Sequence, residues 1–148
     1  MKMRMNYREA NPEAYKALAS LERFVAGRGL DRRLCELIKV RASQLNGCAF
    51  CVDLHSRDLL KLGESAERLA LLPVWREAPC FSESERAALE LTECVTRLSE
   101  TGVPLEAYEN ARKFFDEAGF VDLIMAINAI NCWNRIAVST GMFPGCYS

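Results

Sequence analysis

Apolar residues along this chain recur at intervals of three and four, with almost no alternation at two, so the pattern predicts helices and no sheet. Asn11-Pro12 opens the first helix as an N-cap followed by proline. Tyr15, Leu18, Leu21 and Val25 then mark one face until Gly27 and Gly29 end it. Asp31 caps the next, with Leu34, Leu37, Ile38 and Leu45 inward, and Asn46-Gly47 stops it. A third helix runs from about Cys48 to Lys61, and Ser65 caps a short one to Leu72. After an irregular stretch, Ser82 and Glu85 form a capping box for a helix through Ser99. Pro104 opens another through Glu117, with Tyr108, Phe114 and Phe115 as core candidates, and the last covers roughly Val121 to Thr140. The expectation is an all-α, single-domain bundle of about seven helices over residues 1–148.

The run Val121 to Val138 approaches membrane-spanning length, but Asp122, Asn128, Asn131, Asn134 and Arg135 make it a buried core or interface helix instead. It is more apolar than one small core can cover, which predicts a homo-oligomer. Its asparagines are expected to hydrogen-bond across a helix or subunit boundary. The formal net charge is −1, from 19 basic and 20 acidic residues, which argues against a nucleic-acid partner. No apolar stretch follows the basic start Met1-Lys2-Met3-Arg4-Met5, so the reading is a cytoplasmic protein with no membrane partner.

Seven cysteines are many for 148 residues. In a reducing compartment, Cys35, Cys80, Cys94, Cys132 and Cys146 read as packing or surface thiols. Cys48 and Cys51 differ. They stand three apart at the start of a helix, where both sulfurs can meet and where the helix N-terminus favours a thiolate. His55, the only histidine, lies four beyond Cys51 on the same face, within reach to activate a thiol. Trp75, Pro79 and Phe81, in the irregular stretch, read as loop-anchoring hydrophobes.

Glu36, eleven residues, Cys48, two residues, Cys51, three residues, His55: this spacing resembles the signature of the carboxymuconolactone decarboxylase superfamily, in its alkylhydroperoxidase D-like branch. Arg41 to Cys48 is similar to that family's lead-in, and Asn131-Cys132-Trp133-Asn134-Arg135 to its last helix. The resemblance implies a helical fold assembling into trimers or hexamers and reducing organic hydroperoxides at the expense of an external dithiol, without metal or other cofactor. It implies Cys51 as the peroxidatic cysteine, Cys48 as the resolving one, and Glu36 with His55 as the proton relay. The sequence departs from the family's well-studied peroxidases at Phe50, where they carry a second histidine. Three other readings are weighed beside this one. They are a zinc site on Cys48, Cys51, His55 and Glu36, a disulfide oxidoreductase that does not use peroxide, and a lactone decarboxylase.

Overall fold

The computed structural model describes residues 1–147. Nine α-helices are present among them: α1 (Tyr7–Ala10), α2 (Pro12–Ala26), α3 (Arg32–Leu45), α4 (Ala49–Lys61), α5 (Ala66–Leu71), α6 (Glu83–Thr96), α7 (Leu98–Thr101), α8 (Leu105–Arg112) and α9 (Glu117–Thr140). A 3₁₀ segment, Leu72–Glu77, joins α5 to the loop before α6. The fold is all-helical, and the seven expected helices correspond to α2–α6, α8 and α9. The single turns α1 and α7 are too short to leave a periodic pattern.

The caps explain where the helices begin. Asn11, Asp31, Ser65 and Ser82 each accept a backbone N–H of the first turn, and Glu85 closes the capping box. Three boundaries differ from expectation. The helix opened by Pro104 ends at Arg112 rather than Glu117. The sixth helix stops at Thr96, because Arg97 leaves the helical region and α7 restarts beyond it. The last helix begins at Glu117 rather than Val121, because the Asp116 carboxylate accepts the Gly119 N–H at 2.7 Å and draws that glycine into the first turn.

Helix α3 is the central element and packs against α4, α6 and α9. On one side Leu37 and Val40 meet Leu59, Leu72, Trp75, Phe81 and Leu89. On the other, Leu34 and Ile38 meet Leu91, Leu123 and Ile127. Trp75 and Phe81 are thus buried anchors of the loop, whereas Tyr108 and Phe114 lie exposed instead of in the core. No helix among the described residues is long and apolar enough to cross a membrane.

Polar groups fix α9 to the end of α3. Asn134 is fully buried; its amide donates to Ser43 Oγ at 2.9 Å, and its carbonyl oxygen accepts from Asn46 Nδ2 at 3.0 Å. Asn131 also accepts from Asn46, at 2.9 Å, and donates to Thr96 Oγ1. The expected cross-helix bonding is therefore made within one chain by these two asparagines, while Asn128 and Arg135 are exposed. Asn46 is the C-cap of α3, so the clamp sets where the chain leaves it, two residues before Cys48.

Candidate active site

Gly47 follows Asn46 with φ +66°, a left-handed conformation that a side chain would strain, and it turns the chain from α3 into α4. Cys48 is then the N-cap of α4: its Sγ accepts the Cys51 backbone N–H at 3.3 Å. The two sulfurs are joined as a disulfide, with Cα atoms 5.3 Å apart, and both residues are buried. The sulfurs lie at the positively polarised end of a thirteen-residue helix, which stabilises a thiolate once the bond is reduced.

Helix α3 runs beside α4 and brings Glu36 to His55, with Oε2 and Nδ1 3.0 Å apart. Glu36 is buried rather than solvated, with its helix neighbours Leu37 and Ile38 in the core. Burial alone would push its carboxyl upward. The hydrogen bond with His55 and the ammonium of Lys39 outweigh that and hold it below the usual glutamate value. An ionised carboxylate only accepts, so Nδ1 of the neutral imidazole carries the proton and Nε2 is left as the basic nitrogen. Tautomer and orientation of His55 are thereby set from the neighbouring helix.

Two residues complete this arrangement that sequence reasoning did not single out. Lys39, on the turn after Glu36, contacts Glu36 at 3.0 Å and Glu22 of α2 at 2.5 Å. Its burial would lower its pKa, but the two carboxylates raise it above the ordinary lysine value, so it remains a cation. Glu22 also accepts from Trp133 Nε1 of α9 at 3.3 Å. The chain Glu22–Lys39–Glu36–His55 crosses three helices. Only Glu36–Lys39 is a local pair on α3; the Glu22–Lys39 and Glu36–His55 links depend on how α2, α3 and α4 pack, so spacing along the sequence does not announce the chain.

The two cysteines open onto different surfaces. Cys51 and His55 line a largely apolar cavity of about 220 Å³, with Phe50, Leu54, Ile136 and Met142 among its walls. Phe50, the departure from the resembled motif, places a phenyl ring there and meets Tyr147 edge-on. Cys48 instead borders a shallow depression with Ser43, Gln44, Gly47, Asp53 and Ser56. Tyr7, Arg8, Tyr15 and Trp133 also line the cavity, and Trp75, Pro79 and Phe81 take no part.

The four-ligand zinc set is not assembled. Among the described residues, the group whose ligand atoms lie within 4.8 Å of one another is Glu36, His55 and Asp58, and the two cysteines are bonded to each other instead. The other five cysteines are free and half-buried, and burial pushes the Cys35 thiol up to about 11, which makes it a poor nucleophile.

Residues 12–93 match the model of the carboxymuconolactone decarboxylase family. The chain is 43% identical over 141 residues to the uncharacterized protein YdfG of Bacillus subtilis, covering 95% of this chain and 96% of that relative. A solved protein of unknown function from Agrobacterium tumefaciens, described as a candidate antioxidant-defence protein AhpD, superposes with a TM-score of 0.94 at 46% identity. That match covers 97% of this chain and 99% of the other. The alkylhydroperoxidase AhpD core of an uncharacterized peroxidase-related protein from Ralstonia eutropha is similar in fold, with a TM-score of 0.82 at 22% identity over 94% of this chain and 74% of its own length.

Proposed function

We propose, from the premise that this chain belongs to the carboxymuconolactone decarboxylase family and to its AhpD-like branch, that it is a two-cysteine peroxidase reducing organic hydroperoxides. The observation that carries this reading is a cysteine pair at a helix N-terminus whose Cys51 shares an apolar cavity with a carboxylate-oriented imidazole.

In the reduced protein, Nε2 of His55 takes the Cys51 proton. The thiolate attacks one peroxide oxygen, the O–O bond breaks, and the leaving alkoxide takes the proton back from the imidazolium as an alcohol. Cys51 is left as a sulfenic acid. The Cys48 sulfur then attacks the Cys51 sulfur; an S–S bond forms and one water leaves. An external dithiol returns two electrons and two protons and is itself oxidised to a disulfide. The apolar cavity suits the organic part of such a substrate and keeps bulk water from the sulfenic acid.

Position relative to the base supports Cys51 as the peroxidatic cysteine and Cys48 as the resolving one. Cys48 is nearer the helix terminus, but the terminus contributes only about 1 kcal/mol, and Cys51 is the one that shares a cavity with His55. Cys48→Ser is expected to consume one equivalent of hydroperoxide and to accumulate a sulfenic acid trappable by dimedone, while Cys51→Ser does not react. The reverse pattern exchanges the roles, and inertness of the reduced wild type toward every hydroperoxide defeats the peroxidase reading.

A further inference from the structure

Arg8 has no assignment in the chemistry above, yet it lines the same cavity as Cys51 and His55. Its backbone is held firmly: Asn6 caps α1 by accepting the Arg8 N–H, and the segment before it is tied to the end of α9 by Arg4 N–H donating to Thr140 O at 2.9 Å. The guanidinium carbon sits 4.2 Å from the Tyr147 ring centroid, 4.9 Å from that of Tyr15 and 6.0 Å from that of Tyr7. Three rings therefore fix the direction of the side chain. None of them supplies a counter-charge.

The unmet hydrogen bonding is what distinguishes this arginine. Among the described residues, Nε of Arg8 is buried without a hydrogen-bond partner and no carboxylate pairs with its guanidinium. The acidic side chain that does reach the cavity, Glu22, is already held by Lys39 and Trp133. A partly buried cation at a largely apolar wall, with no carboxylate partner among the described residues, is free to pair with an anion that enters the cavity.

We propose that Arg8 is an anion-binding point for the substrate, so that the cavity takes a small carboxylate-bearing molecule with its acid group at Arg8 and its apolar body toward Leu54, Ile136 and Met142. This names the substrate class of the site described above and rests on that site being where substrate binds. The size agrees: a cavity of about 150 Å³ holds benzene, and about 220 Å³ leaves room for a few further atoms.

The test measures binding first and chemistry second. Calorimetric titration of the oxidised protein with 4-phenylbutyrate and with 4-phenylbutanol is expected to show the acid binding about tenfold or more tightly than the alcohol, the scale of a charge-assisted hydrogen bond. In Arg8→Gln the acid-to-alcohol ratio collapses toward one, and Arg8→Lys recovers part of it. Equal affinity for the two probes in the wild type, or no saturable binding of either, overturns the proposal and leaves Arg8 a strut between rings. Oxidation of the reduced protein by a carboxylate-bearing alkyl hydroperoxide and by its methyl ester then separates the two readings. Acid-selective binding with no reaction of either peroxide removes the peroxidase function but keeps the anion point. Equal rates for acid and ester together with equal probe affinities remove the anion point but keep the peroxidase.

Discussion

Lys39 governs the charge balance at the centre of the site, since its one positive charge lies within hydrogen-bond distance of both the Glu22 and the Glu36 carboxylates. Glu36 is held below the ordinary glutamate value, so its favourable contribution is present above the ordinary carboxylate range and is lost as pH falls through the lowered value. Lys39→Met removes the cation and leaves two carboxylates side by side. Glu36 then titrates at higher pH, and the acid limb of Cys51 alkylation with iodoacetamide is expected to move upward in pH relative to wild type. His55→Ala acts on the base itself and should slow the same reaction by about a hundredfold, with Glu36→Gln in the same direction. Unchanged alkylation profiles in all three variants reduce these residues to packing. At this scale the sequence was legible only where spacing on one helix suffices: Cys48, Cys51 and His55 share α4 and could be read directly. Glu36 rested on resemblance. Lys39, Glu22 and Arg8 come from other elements, and no periodicity along the chain marks which of its many charges turn inward.

Helix punctuation was the most readable level, because caps are local chemistry. Asn11, Asp31, Ser65 and Ser82 all perform the bonds their residue types suggest. The failures have equally local causes: Gly119 reads as a stop signal, yet Asp116 three residues earlier captures its N–H and makes it a start. What punctuation could not convey is how α9 grips α3. Asn134 both donates to Ser43 and accepts from Asn46, so Asn134→Ala removes one hydrogen bond from each, leaving Ser43 its bond to Lys39 O and Asn46 its bond to Asn131, and opens space in the interface. A loss of about 1–3 kcal/mol is expected by urea denaturation. Because Asn46 precedes the turn into Cys48, the same variant should also make the disulfide easier to reduce, read as faster thiol release by a fixed dithiothreitol concentration. A stability loss with no change in reduction rate would mean that the clamp does not extend its influence to the cysteines.

The molecule as a whole leaves apolar surface uncovered, though not chiefly where the sequence pattern placed it. Helix α9 already wraps most of its apolar side within one chain, leaving Val121 and Val138 exposed. Leu98, Val103 and Leu105, exposed in and between α7 and α8, add to that surplus. Association of identical chains is the expected outcome, with the family resemblance pointing to a trimer or hexamer, and a monomeric mass by light scattering at micromolar concentration would rule it out. The separate openings of the two sulfurs carry a last consequence, for rates rather than structure. Cys51 borders the apolar cavity and Cys48 the shallow depression, so oxidant and reducing dithiol need not contend for one doorway. Alternation of the two half-reactions should make steady-state double-reciprocal plots at several dithiol concentrations parallel, and the separate openings should keep either reactant from inhibiting competitively when it is raised against the other.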